Sequence, residues 1–420
     1  MASFETAVSG VNAAQTDLNV VSNNIANVGT TGFKNSRAEF ADVYANAFGG
    51  VNTPGMGVTT ARIHQLFTDG SLTQTGNPYD LAIQGNGFFI VQDEQGVAYT
   101  RAGAFGPDQE GYLVTAQGQR LQGFAPTGNG TFDTGNLQDI QLPTGQSDPQ
   151  ATTQVGVEVN LAAADQRPPD RRFDPNDPQS YNYATSTTIY DSLGNPHTMT
   201  LYYVKDRNRG LLPGRQTQQW TVHAVIDGEE VTGRFGPSNL DLRFDQSGQI
   251  ATTLIGSNSG TATVRYTPGG GAAPMVIDLD LSGTTAYDEQ YSLNRITQDG
   301  RSIGSLTGVD IDMNGVLTAR FSDGSTEVLG QVALANFANP EGLQPIGDTQ
   351  WAESGSSGPV LVGQAGNGGF GTITAAALEG SNVDLVSQLV NLILAQRNFQ
   401  ANAQSITTWD NVTQTVINMR

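Results

Sequence analysis

The segment FETAVSGVNAAQTDLNVVSNNIANV, Phe4 to Val28, places an apolar or small residue at Phe4, Ala7, Val11, Ala14, Leu18, Val21, Ile25 and Val28. The steps alternate between three and four, which is the heptad rhythm of a helix with one seam to bury. The other end of the chain carries a second stripe with the same rhythm at Leu385, Leu389, Leu392, Phe399, Ala403 and Ile406. After a small phase shift it continues through Trp409, Val412, Val416 and Met419. One such seam does not offset the backbone entropy lost in ordering a helix of this length, so each end needs a partner. The expected arrangement is a pair of terminal helices forming a coiled coil that also packs against neighbouring copies of the chain. The simpler alternative is that the helices only cap their own domain.

Between the ends the chain reads as β-structure. Candidate strands run from Gly87 to Val91, Val97 to Thr100, Tyr112 to Val114, Arg120 to Phe124, Thr187 to Tyr190, Thr198 to Val204, Trp220 to Ile226, Gly315 to Phe321 and Val328 to Phe337. Met275, Ile277, Leu279 and Leu281 alternate with Val276, Asp278 and Asp280, the period of a strand buried on one face. Turn-forming pairs recur at Asn86-Gly87, Asp227-Gly228, Asp299-Gly300, Asn314-Gly315 and Asp323-Gly324. A helix from about Ser3 to Asn27 is expected to stop at Asn27-Val28-Gly29 and Thr30-Thr31-Gly32, where left-handed backbone is tolerated. Phe33 to Phe48 has room for a short helix before the irregular Gly49-Gly50 and Pro54-Gly55.

At 420 residues the chain exceeds what one core usually serves. The fold class expected is mainly β with α-helical termini, in a nested multidomain order. The N-terminal helix spans 1–28 and an extended linker arm 29–70. The inner β-domain takes 71–150 and resumes at 286–365, interrupted by an outer β-domain inserted at 151–285. A linker at 366–380 leads to the C-terminal helix at 381–420. The Pro-rich segment from Arg167 to Pro178 and the stretch Pro268 to Pro274 read as exposed loops of the insert.

Charge is distributed unevenly. The net charge is −20, yet residues 1–70 hold five acids against three bases and residues 381–420 hold two of each. An acidic middle repels phosphate backbones, which argues against nucleic-acid binding. The nearly neutral ends display Asn, Gln, Ser and Thr where a solitary surface helix would carry Lys and Glu. There is no cysteine, so disulfides, thiolate metal sites and a cysteine nucleophile are excluded. No run approaches the ~18 apolar residues of a membrane span. The first thirty residues have neither a basic region nor a continuous apolar core, so no Sec-type signal and no membrane insertion are expected.

Motifs that suggest chemistry do not survive their structural requirements. Gly366 to Gly371 matches G-x-G-x-x-G, but no helix opens directly after it and no βαβ unit follows. Asp310 to Gly315 opens like an EF-hand loop, but the twelfth position is Phe321 where a bidentate Glu is needed. His64, His197 and His223 have no metal-ligand spacing to one another, and there is no G-x-S-x-G elbow. The reading is therefore of a chain with no catalytic residue, metal or cofactor. A carboxylate pair of the glycosidase kind is the form of catalysis that spacing leaves open.

The strings at both ends resemble the bacterial flagellar axial family of rod and hook proteins, and within it the hook proteins. Ser22 to Phe40 carries Asn23, Asn24, Asn27, Thr31, Gly32, Phe33 and Lys34 in the family's places. Leu378 to Ile406 is similar to the C-terminal counterpart, with Glu379, Ser381, Asn382, Val383, Gln396 and Arg397. DLAIQGNGFFIV (Asp80 to Val91), YTRAGAF (Tyr99 to Phe105) and LANFANPEGL (Leu334 to Leu343) also look familial. YDSLGNPH (Tyr190 to His197), within the insert, resembles hook proteins more than the shorter rod proteins. The resemblance implies a homopolymer: a curved hollow tube joining rod to filament, acting as a universal joint, with the helices lining its inner layer. It implies as partners flagellar rod proteins, a hook cap, a hook–filament junction protein and the type III export apparatus. It also implies an extracellular place in the flagellum, and neither catalysis nor cofactor. Two other readings remain: a distal rod protein, which the long insert disfavours, and a secreted carbohydrate-active β-protein, which gives the heptad ends no purpose.

Overall fold

A computed structural model describes residues 2–43, 55–128, 130–206, 218–233, 236–237, 239–251 and 260–418. Gly49, Gly50, Pro54 and Met419, and the side chain of Val416, lie outside the described residues. The chain forms two compact units. One comprises Met1–Thr144, Gly308–Arg320 and Thr326–Arg420; the other comprises Gly145–Thr307 and Phe321–Ser325. The second unit is thus inserted into the first. It is entered before residue 151 and left well after 285, which moves the expected limits. Strand Ser292–Gln298, expected in the returning part of the inner domain, pairs antiparallel with Gln154–Asn160 of the insert. Its exposed, mixed side chains carry no local mark of which sheet it joins.

Helix α1 covers Ala2–Ala26 and helix α2 covers Leu385–Asn418. At the start of α2 the Asp384 carboxylate accepts the Ser387 amide at 2.8 Å, an N-cap. The Ser387 side chain, together with that amide, holds the Asp384 carboxyl below its ordinary range. The stop after α1 works differently from expectation. Asn27 stays right-handed, its side chain bonding the Asn23 carbonyl at 3.0 Å, and the left-handed residue is Gly32, with φ +70°.

The region expected to hold a short helix is a strand. β1, Ser36–Asp42, pairs antiparallel with β2, Val58–Gln65, with a bulge between Glu39 and Phe40. Local propensity for Arg37-Ala38-Glu39 is helical, but β2, which pairs them with His64, Ile63 and Arg62, supplies a ladder that isolated propensity cannot weigh. The segment expected as the 366–380 linker is also paired. Thr372–Ala375 lies against Leu81–Gln84, and Ala377–Glu379 against Leu72–Gln74. The glycine run before it closes as a loop, Gly366 N donating to the Gly371 carbonyl at 2.9 Å.

The inner unit's β-part is built on Phe88–Asp93, Gly96–Thr100, Arg120–Pro126 and Thr326–Asn336, joined in one large sheet. Its core gathers Phe88, Ile90, Tyr99, Phe124, Phe337 and Trp351. Aromatic edges meet faces there: Phe88 and Trp351 lie 5.7 Å apart and Tyr99 and Phe337 4.8 Å apart. The inserted unit packs two sheets around one core that includes Val157, Leu201, Tyr203, Trp220, Ile277 and Leu279. Met275–Asp280 buries alternate residues, as its period requires. Of the five turn pairs, Asn86-Gly87 and Asp299-Gly300 join strands that belong to different sheets and are not hairpins. The EF-like Asp312 accepts the amides of Asn314 and Val316 and closes a turn.

Candidate functional site

The two ends of the chain meet twice. The first meeting is the helix pair. Asn24 Nδ2 lies 3.5 Å from Gln388 Oε1, and a Cβ on Gly10 would sit 2.7 Å from Asn402 Oδ1. From Asn24 back to Gly10 and from Gln388 on to Asn402 is fourteen residues in each case, so the helices run antiparallel in step. Phe4 and Trp409 share a cleft farther along. In α1 the buried seam is Ala7, Ala14 and Val21, one residue per heptad. Val11, Leu18 and Ile25 are half-buried, and Phe4 is exposed. Small residues at every seventh position let the second backbone come close.

In α2 the expected stripe is only partly the one that packs. Leu392, Phe399, Ala403 and Ile406 are half-buried, but Leu385 and Leu389 are exposed at 42 % and 44 %. Gln388 and Ala395 take the inward positions, Ala395 with no exposed surface. The helix carries apolar residues on more than one side, so periodicity alone does not tell which stripe faces its own partner. A second stripe, Val386, Val390 and Ile393, points outward at 70 %, 52 % and 50 % exposure.

The second meeting is a buried ionic junction where the chain leaves α1 and approaches α2. Lys34 Nζ donates to Glu379 Oε1 at 2.6 Å and to the Thr68 carbonyl at 2.7 Å. Neither side chain of the Lys34–Glu379 pair is exposed. Arg101 Nη1 reaches Glu379 Oε2 at 3.1 Å, and its Nη2 donates to the Gly85 carbonyl at 2.6 Å. Gly70 N donates to Glu379 Oε1 at 2.9 Å. Burial pulls the Lys34 ammonium below its ordinary range, against the opposing pull of Glu379. Asp69, half-exposed, lies 3.6 Å from Arg101.

Around this junction the motif residues of the two ends bond each other's backbone. Asn382 Oδ1 accepts the Asn35 amide at 2.7 Å while its Nδ2 donates to the Leu66 carbonyl at 2.8 Å. Gly32 N donates to the Glu379 carbonyl at 2.8 Å, and a Cβ on Gly32 would come within 2.5 Å of Ala102 N. Asn24 is buried against Ser36, and Asn27 accepts the Thr30 hydroxyl at 3.1 Å. Ser381 Oγ accepts the Val383 amide at 3.3 Å. Thr31 and Phe33 are half-buried beside Gly32 and Lys34. Asn23, Gln396 and Arg397 stay exposed and outside the junction. Its other members, Arg101 and the Gly70 amide, lie far along the chain, and no periodicity marks them. The one available signal is a charged residue inside the otherwise apolar YTRAGAF.

The arrangement locks two distant chain ends into one frame. Among the described residues no group of three His, Cys, Asp or Glu side chains is placed to hold a metal ion, and no helix is long and apolar enough to cross a membrane.

Family models match four segments of the chain, and relatives match it over nearly its whole length. Residues 4–34 match the flagella basal body rod protein family and residues 82–160 the flagellar hook protein FlgE/F/G D1 domain. Residues 160–301 match the flagellar basal body protein FlaE D2 domain, and residues 374–419 the C-terminal domain of the flagellar basal body rod FlgEFG proteins. The chain is 38 % identical to the flagellar hook protein FlgE of Escherichia coli strain K12, over 99 % of this chain and 100 % of that one. It is 34 % identical to that of Treponema pallidum over 100 % of both. The fold is similar to the crystal structure of Helicobacter pylori flagellar hook protein FlgE2, with a TM-score of 0.54 at 18 % identity, covering 73 % of this chain and 100 % of that one.

Proposed function

The chain belongs to the flagellar hook protein FlgE family and is a structural subunit of the flagellar hook, and from that premise we propose that it polymerises into a curved hollow tube that joins rod to filament and passes on motor torque while bending. The observation that carries the reading is the outer stripe of α2. Val386, Val390 and Ile393 are exposed on a helix whose opposite side already packs on α1. Leaving such a face in water is costly, and burying it against copies of the same chain recovers that free energy. A contact between unlike patches that does not close on itself gives an open helical polymer.

Within the tube the helix pair forms the inner layer and the inserted unit the outer one, with bending taken up by compact units shifting as rigid bodies. The seam residues then serve two purposes. Ala7, Ala14 and Val21 hold the chain's own pair, while Phe4, Leu385 and Leu389 are left for neighbours. The rod, a hook cap, a hook–filament junction protein and the type III export apparatus are the partners this role requires, and export proceeds without a Sec signal. The test is electron microscopy of the purified chain at high concentration. Curved tubes are the expected result. Straight rigid polymers would move the chain to the distal rod, and monomers at every concentration would overturn the reading.

A further inference from the structure

The glycine run that starts at Gly366 stands beside a cleft of about 590 Å³ in the inner unit. Two parts of the wall are turns closed by their own hydrogen bonds. Gly366 N donates to the Gly371 carbonyl at 2.9 Å, and Thr127 N donates to the Thr131 carbonyl at 2.9 Å. Among the described residues no lining side chain carries a charge, although the chain has a net charge of −20. The polar lining is mainly amide, from Asn314, Gln331, Gln364 and Asn367, while Phe132 and Val316 add apolar surface. Gln331 is only 4 % exposed, and its Oε1 has no hydrogen-bond partner among the described residues. The amide cannot be turned over, because Nε2 donates to the Asn314 carbonyl at 2.8 Å. Reversing it would set two carbonyl oxygens against each other, so the unpaired atom is an acceptor. A buried acceptor without a donor is costly, and most such groups in folded proteins are paired. The side-chain amides of Gln364 and Asn367 also make no hydrogen bond among the described residues.

We propose that this cleft binds a neutral carbohydrate. A sugar hydroxyl donates to Gln331 Oε1, the amides of Gln364 and Asn367 take neighbouring hydroxyls, and C–H groups of the ring rest on Phe132 and Val316. The lining selects this class of ligand. A bound cation calls for a carboxylate and a bound anion for a basic group, and the described lining has neither. A wholly apolar ligand would leave the amides unpaired. A planar amide offers a donor and an acceptor side by side, which two adjacent hydroxyls of a sugar can match. The volume falls within the range of small-ligand sites, about 300–1,000 Å³. Glycine at 366 keeps the wall in shape: its φ is +74°, and a Cβ there would come within 3.3 Å of Asn314 Oδ1. Among the described residues no carboxylate lines the cleft, so it offers sugar binding without hydrolysis.

The test uses the dilute, unassembled full-length chain, so it does not depend on polymerisation. Nitrogen-edited NMR spectra follow the side-chain amides of Gln331, Gln364 and Asn367 as glucose, mannose, galactose or N-acetylglucosamine is added into the tens of millimolar. Glycerol serves as the small-polyol control. Saturable shifts at these amides are expected with at least one of the sugars and not with glycerol. Gln364→Ala and Asn367→Ala alter side chains that are half-buried and exposed, so the fold is kept, and together they weaken binding about tenfold. Gln331→Met, close in volume, removes the unpaired acceptor and abolishes the response, with thermal unfolding checking that the unit stays folded. No saturable response to any of the sugars overturns the proposal, as does an unchanged response in the substituted chains. Movement of the same amides when the chain alone is concentrated, with no response to sugar, gives the cleft to a neighbouring copy and likewise overturns it. None of these results bears on the assembly reading, which electron microscopy tests separately.

Discussion

Asn24 and Ser36 pair as if the amide side chain were a strand. Asn24 Oδ1 accepts the Ser36 amide at 2.9 Å and Asn24 Nδ2 donates to the Ser36 carbonyl at 2.8 Å. A side chain on α1 thus fixes the first residue of β1, setting the direction in which the chain leaves the helix. Asn24→Asp keeps the acceptor and loses the donor, so a carboxylate faces the Ser36 carbonyl. With Asn24 almost fully buried, the expected cost is ~1–3 kcal/mol, read as faster amide exchange at Ser36 and along β1.

Glu379 is the lone anion fully inside the junction, whereas the cationic side is shared by Lys34 and Arg101. Glu379→Gln leaves two buried cations facing a neutral amide and is expected to cost ~3–5 kcal/mol. Lys34→Met leaves Glu379 still bonded to Arg101 and Gly70, so its cost is smaller. Exchange protection of the Gly32 and Gly70 amides orders the two variants, and the reverse order would remove Glu379 from the centre of the network.

Gly32 and Gly29 separate strain from sequence position. Gly32 has φ +70° and a Cβ there would meet the Ala102 backbone, whereas a Cβ at Gly29 meets nothing within 4 Å. Gly32→Ala should destabilise the junction by at least ~2 kcal/mol. Gly29→Ala should be neutral within about 0.5 kcal/mol. Thermal unfolding of the two variants against the unsubstituted chain makes the comparison.

The inserted unit has its own pH dependence. His197 Nδ1 lies 2.6 Å from Asp227 Oδ2 and its Nε2 3.4 Å from Asp191 Oδ2. Burial alone would lower the imidazole, but the two carboxylates outweigh it and raise the group above 6.5. A base raised on folding adds stability that is complete below about pH 6.5 and disappears as pH climbs through the raised value. Both carboxyls are disfavoured by burial but held below 3.8 by their hydrogen bonds, Asp191 chiefly from Asn195 and Asp227 chiefly from His197. Their contribution is lost as pH falls below that range. Stability of the unit should therefore be greatest between about pH 4 and 6.5, and His197→Asn should abolish the decline on the alkaline side.

The inward and outward faces of α2 are separable by substitution. Ala395→Leu overfills a site with no free surface and should cost ~1–3 kcal/mol, visible as helix loss in the monomer. Leu389→Asp touches an exposed position, so the monomer keeps its helices while polymer yield collapses. Normal polymer from Leu389→Asp would show that this part of α2 stays free in the assembly.

Much of this was legible from residue order. The seven-residue repeat of Ala7, Ala14 and Val21 marks a pairing helix because nothing but a close neighbour rewards small residues at that interval. The alternation of Met275, Ile277 and Leu279 marks a half-buried strand for the same reason. Leu385 and Leu389 show where such reading stops: α2 is apolar on two sides, and period alone does not rank the stripes. Phe40 shows another limit. Its neighbours favour helix weakly, and a ladder with Val58–Gln65 decides the matter from outside the segment.

Residue order by itself determined two pairing helices at the ends, strands between them, an acidic middle and the absence of thiol chemistry, because each of these depends on local period or composition. Tertiary structure alone decided that Lys34 meets Glu379 across 345 positions, that Gln388 and Ala395 face inward, and that Ser292–Gln298 joins the inserted unit. Those outcomes depend on which distant surfaces come into contact, and the free energy of a contact belongs to both partners at once.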